Sequence, residues 1–179
     1  MAASSLDVLD YPDTGRKLEP AEVLARTPEV DRVADCVPFP FRAVGSTSIG
    51  PKDWVEIGRA ISGLGPDVTG VVILHGTATL EETAYALSLT LKTEMPVVLV
   101  GAQRPSSAVS SDAGMNLVAA IRTAIAPEAR DLGVLVVLND EIHAAREVTK
   151  TSTYRLQTFR SPDFGLLGHV DGDRVAFYR

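Results

Sequence analysis

Three short apolar runs, Val71 to Leu74, Val97 to Val100 and Val134 to Leu138, are separated by stretches whose apolar residues recur at helical spacing. A run of consecutive aliphatic residues with no polar alternation suits a strand buried on both faces. Strands of this kind alternating with helices imply a mainly parallel sheet with a helical layer on each side. The expected fold class is therefore α/β, a three-layer α/β/α arrangement. A chain of 179 residues is long enough to give it one substantial core.

The intervening stretches carry the helix signals. Pro20 to Arg26 reads as a short helix stopped near Pro28. Pro51 stands at the first position of another, with Trp54, Ile57 and Ile61 on its apolar face and Gly63, Gly65 and Pro66 closing it. Thr79 followed by Glu82 is a capping box, and Leu80, Ala84, Leu87 and Leu91 then form one stripe reaching about Thr93. A further helix is expected from Met115 to Ala126, capped by Asp112, with Leu117, Val118, Ile121 and Ile125 inward. Cys36 to Val44 alternates but contains Pro38 and Pro40, which confines it to an edge or interrupted strand. Asn139 and Asp140 open a polar segment that reaches Lys150. Leu166 to Val170 and Arg174 to Tyr178 read as a C-terminal hairpin on the Asp171-Gly172 turn.

Ligands in α/β sheets bind beyond the carboxyl ends of the strands. Short hydroxyl clusters follow three of the candidate strands here: Ser46 to Ser48, Thr77 with Thr79, and Ser106 to Ser111, while a fourth strand leads toward Lys150. In a parallel sheet these ends share one edge, so the clusters converge on a single crevice. Thr77 lies in the turn between strand and helix, behind Gly76, which permits a sharp bend or close approach to a ligand. Taken alone, Thr77 and Thr79 are equally well read as ordinary turn and cap residues. Lys150, between Thr149 and Thr151, is by itself an unremarkable solvated lysine, yet a desolvated lysine beside a threonine hydroxyl is a base able to activate it.

Other chemistries find no support. His75, His143 and His169 lack mutual metal-ligand spacing. Gly63-x-Gly65 is followed by Pro66 and then a strand, unlike a dinucleotide fingerprint, and no phosphate-binding loop with its lysine occurs. A net charge of −6 with mixed signs argues against a nucleic-acid partner. No segment has the length of a membrane span, and Met1 to Asp7 has no signal-peptide character. The single Cys36 suits a reducing compartment, so a cytoplasmic location is expected.

Several motifs, in order, closely resemble the bacterial-type L-asparaginase family: Gly70 through Ala84, Pro96 to Pro105, Ser110 to Leu117, Gly133 to Thr153 and Thr158 to Val175. The likeness covers most of the chain from about Ser46 onward. It implies the flavodoxin-like N-terminal domain of that family, spanning residues 1–179. It also implies an amidohydrolase that releases ammonia from the side-chain amide of asparagine without metal or cofactor, assembled as a dimer or tetramer. By resemblance, Thr77 and Lys150 belong to the catalytic set, Ser46 binds the substrate α-carboxylate, Thr47 faces the ligand, and Tyr11 is a candidate for a tyrosine that closes the site.

The chain departs from the family pattern at three points. It lacks the first strand with its Gly-Gly-Thr motif, which carries the family's favoured nucleophile, and it lacks the smaller C-terminal domain. An incomplete enzyme, inactive alone, is therefore expected. Family members also carry Asp after the threonine corresponding to Thr77, where this chain has Ala78. That substitution removes the partner of the substrate ammonium, whose burial without a carboxylate is disfavoured. Two alternatives follow: an amidohydrolase for amides lacking an α-amino group, and an inactive ligand-binding or regulatory module.

Overall fold

The computed structural model describes residues 17–179. The three apolar runs form strands β1 (Val71–Leu74), β2 (Val97–Val100) and β3 (Val134–Leu138). They pair in parallel, Val71 opposite Val97 and Val97 opposite Val134. Strands β4 (Glu141–Ala144), β7 (Gly168–Asp171) and β8 (Arg174–Phe177) continue the six-stranded sheet in the order β1-β2-β3-β4-β7-β8. Each of these pairs antiparallel with its neighbour. A separate two-stranded ladder joins β5 (Thr149–Lys150) to β6 (Phe159–Arg160).

Helices cover both faces. Helix α2 (Pro51–Ser62) and α3 (Leu80–Thr90) supply Ile57, Ile61, Leu80, Ala84 and Leu87 to one face, against Val97, Leu99, Val134 and Val136. Helix α4 (Ala113–Ile125) covers the other, with Ala119, Ala120 and Ala124 against Val98, Val100, Leu135 and Val137. Successive side chains of β2 and β3 thus enter opposite cores, which is why these runs show no polar alternation. The short α1 (Pro20–Ala25) and the 3-10 turn Pro28–Arg32 place Val30 against Leu117, Val118 and Ile121 on the outer side of α4. The three-layer α/β fold and the C-terminal hairpin agree with expectation.

Local differences from the sequence reading have physical causes. Residues 36–44 form no strand and are mostly exposed. Among the described residues no strand pairs the free edge of β1, and Pro38 and Pro40 lack the N–H groups a ladder needs. The segment is held instead by side chains: Arg42 pairs with Asp53 and Glu56 of α2. The stretch after β3, expected as a polar segment reaching Lys150, turns back as the β3–β4 hairpin. Asn139 and Asp140 both take positive φ, 53° and 63°, the geometry of a two-residue type I′ turn. The third helix ends at Thr90, not Thr93.

Two expected caps are diverted. Thr79 and Asp112 occupy N-cap positions, but neither side chain bonds its own helix as a cap. Thr79 Oγ1 donates to the Ser46 carbonyl at 2.7 Å, and the Asp112 carboxylate turns to the loop after β2. Both diversions strengthen the edge where the strand ends meet.

Candidate active site

Beyond Leu74 the β1 ladder runs one step further, His75 N–H donating to the Val100 carbonyl at 2.8 Å. The chain then turns through Gly76 into Thr77. A Cβ on Gly76 would lie 2.8 Å from Ser46 Oγ, and one on Gly101 would lie 2.6 Å from the His75 carbonyl and 2.9 Å from Thr77 Cγ2. Glycine at both strand ends therefore allows the Ser46 turn and the Thr77 turn to press against the sheet. Thr77, 2% exposed, is held in this closed corner.

The Thr77 hydroxyl is fully engaged. It donates to Gln103 Oε1 at 2.7 Å and accepts from Lys150 Nζ at 2.9 Å. Lys150 comes from β5, and its own backbone N–H donates to Glu81 Oε2 at 2.5 Å, which ties that strand to the start of α3. Burial pushes the Lys150 ammonium below the ordinary lysine range, while Glu81 and Glu82 pull the other way. A lysine poised nearer neutrality and hydrogen-bonded to a buried hydroxyl is an arrangement suited to proton transfer.

Gln103 is anchored on every side. Its Nε2 donates to the Arg155 carbonyl at 3.0 Å. Its backbone N–H and that of Arg104 donate to Asp112 Oδ2 and Oδ1 at 2.9 and 2.8 Å. Asn116 Nδ2 donates to Asp112 Oδ2 and to the Gly101 carbonyl, both at 3.0 Å, while Asn116 Oδ1 accepts from Asn139 N–H at 2.9 Å. The loop after β2 is thus fastened to α4 and to the β3 turn.

A second chain of hydrogen bonds fixes the other side of the Thr77 turn. His75 Nδ1 lies 2.8 Å from the Gly76 carbonyl, which can only accept, so Nδ1 carries the proton. Nε2 then accepts from Thr83 Oγ1 at 3.0 Å, and Thr83 Oγ1 accepts from Trp54 Nε1 at 3.0 Å. Burial lowers the His75 pKa, against the raising effects of the Gly76 carbonyl and Glu82. The neutral ring this favours clamps the peptide just before Thr77.

Of the residues singled out in the sequence, Thr77, Lys150 and Ser46 are brought together around this corner. Ser46 is buried in the 3-10 turn Ser46–Ser48; Thr47 in the same turn is exposed. Ala78 is exposed beside Thr77. Tyr11 lies outside the described residues. The Ser106 to Ser111 cluster does not join: Ser106 Oγ accepts from Arg26 and Ser111 Oγ donates to the Arg104 carbonyl. Gln103 and Glu81 were missed. A signal for Gln103 existed, because Leu74 pairs with Val100 and Thr77 and Gln103 each stand at the same offset beyond those partners.

The chain matches the family model described as Asparaginase, N-terminal, over residues 8–179. It is 45% identical over 153 residues to L-asparaginase 2 of Bacillus subtilis, covering 84% of this chain and 41% of that protein. A probable periplasmic L-asparaginase of Haemophilus influenzae is 41% identical over 157 residues, covering 88% of this chain and 45% of the relative. Among solved structures, a probable cytoplasmic L-asparaginase from Campylobacter jejuni superposes with a TM-score of 0.88 at 39% identity, covering 90% of this chain and 52% of that one. The chain spans about half the length of the relatives it matches.

Proposed function

The chain belongs to the asparaginase family, and on that footing we propose that it carries the threonine–lysine half of an amidohydrolase site that releases ammonia from the side-chain amide of L-asparagine. The observation that carries this reading is the 2.9 Å contact between Lys150 Nζ and the buried Thr77 hydroxyl. The neutral lysine takes one proton from the attacking hydroxyl as the amide carbon gains an oxygen. The C–N bond then breaks, and that proton leaves on the departing ammonia. The acyl group is now an ester of that hydroxyl. A water adds to its carbonyl, the ester C–O bond breaks and one water proton returns to the hydroxyl oxygen. The acid gives its proton to ammonia, so the sum is amide plus water giving carboxylate and ammonium. Ser46, buried against Gly76, is assigned to the substrate carboxylate, Thr47 beside it to facing the ligand, and Tyr11 to closing the site. No metal or cofactor takes part in this scheme. A homo-oligomer, dimer or tetramer, is the proposed assembly, supported by the exposed Val55, Tyr85 and Leu89 on α2 and α3. A cytoplasmic location is proposed on the reducing compartment suited by the single cysteine; no helix among the described residues is long and apolar enough to cross a membrane.

A second reading rests on Ala78. An exposed methyl group next to Thr77 offers no carboxylate for a substrate ammonium, which favours amides without an α-amino group. Ammonia release from asparagine, glutamine and succinamic acid, measured with the longest product of the gene, separates the readings. Preference for asparagine removes the second, and preference for succinamic acid removes asparagine as the substrate. Binding of aspartate or succinate without ammonia release from any amide identifies a ligand-binding module instead.

A further inference from the structure

Gln103 faces the Thr77 hydroxyl in one orientation only. Its Nε2 lies 3.0 Å from the Arg155 carbonyl, an acceptor with no proton to give, so turning the amide over would set two oxygens against each other. The atom toward Thr77 is therefore Oε1, at 2.7 Å. A hydroxyl has one proton. With Lys150 charged, Nζ donates to Thr77 Oγ1 and the hydroxyl proton goes to Gln103, giving a head-to-tail chain from Lys150 through Thr77 to Gln103. With Lys150 neutral, the amine lone pair seeks the same proton that Gln103 holds.

We propose that Gln103 is a positioning residue that competes with Lys150 for the Thr77 proton, holding it while Lys150 is an ammonium and releasing it when Lys150 becomes a neutral amine. The idea rests on the threonine–lysine reading of the site and specifies how that pair is kept idle until the lysine loses its charge. The charged groups that act on Lys150 are Glu81 and Glu82 at the start of α3; on the packed elements, Arg160 of β6 stands opposite Thr149, and Asp112 accepts from the Gln103 backbone. Glu81 and Glu82 favour the ammonium whatever stands at position 103. Gln103 favours it too, because only the charged lysine leaves the Thr77 proton uncontested.

The competition is read without any turnover, from the pH at which the Lys150 amine becomes nucleophilic, by trace acetylation with acetic anhydride and mass spectrometry of its peptide in the 179-residue chain. Replacing the acceptor by a thioether, Gln103→Met, lowers that midpoint by about one pH unit, the scale of one buried hydrogen bond. Gln103→Glu raises it. A thermal melt of each variant checks that the fold persists. A purely structural role would let water reach Lys150 in Gln103→Met and move the midpoint upward, toward an ordinary lysine. An unmoved or raised midpoint in Gln103→Met overturns the proposal, and failure of the chain to release ammonia leaves it intact.

Discussion

Strands β1 and β2 are neighbours of nearly the same composition, Val-Val-Ile-Leu and Val-Val-Leu-Val, yet they live in different surroundings. All four residues of β2 are buried, whereas β1 is half-buried and its Leu74 is 37% exposed. The difference comes from neighbours: among the described residues β2 has a parallel partner on each side, and β1 has only β2. Next to β1 lies an open apolar groove lined by Cys36, Phe39, Phe41, Ile57 and Ile121. The candidate site spans the two strands, Thr77 following the edge and Gln103 following the centre. A rigid strand end and a looser one thus meet at one hydroxyl, and the dense bonding of Gln103, Asp112 and Asn116 is what holds the pair in register.

The comparison breaks most plainly under truncation. Leu99→Ala in β2, at a residue with no exposure, should cost about 2–5 kcal/mol in a urea titration. Ile73→Ala in half-buried β1 should cost less than half as much, and equal costs would show that the edge is packed as tightly as the centre. Next in size is Gly101→Ala, whose methyl would strike the His75 carbonyl and Thr77 Cγ2. A loss of about 1–3 kcal/mol is expected from the overpacking, while Gly65→Ala, with open space around it, should change stability little.

A smaller effect separates the two regions by pH. Burial lowers the pKa of His75 beyond β1, and also that of His143 in β4, where Glu141 opposes and His169 adds to the shift. The unfolded chain binds these protons near the ordinary histidine value of about 6.5. The folded chain takes them only at lower pH. Stability is therefore complete above that value and falls as pH drops toward the folded-state pKa values, by at most about 1.4 kcal/mol per pH unit for each ring. Chemical denaturation across this range should show His75→Gln and His143→Gln each flattening part of the slope; an unchanged slope in both variants would assign the acid sensitivity elsewhere. The smallest effect expected is that of Thr79→Ala, which removes the bond to the Ser46 carbonyl and should cost about 1 kcal/mol.

How much of this was legible follows the same division. Unbroken apolar runs identified β1, β2 and β3, because burial on both faces leaves no room for polar residues. The Lys150–Thr77 pairing was legible as a convergence of strand ends on one edge of the sheet, and family resemblance singled out the two residues, since they lie on elements that nothing local connects. Gln103 escaped because its neighbours Ser106 to Ser111 carry the louder hydroxyl pattern, though they bond elsewhere. Thr79 and Asp112 were read as caps from local rules, and tertiary partners claimed both. Residues 36–44 show the reverse failure: an alternating pattern needs a neighbouring strand before it becomes one.

The most direct test of the central claim is a double-mutant cycle on ammonia release by the longest product of the gene, with Thr77→Val, Lys150→Met and both together. If the two groups act as one proton-transferring unit, each single change should lower kcat by about 10²–10⁴, and the pair should be no worse than the poorer single variant. Losses that multiply, or turnover that survives either change in a folded protein, would contradict the account.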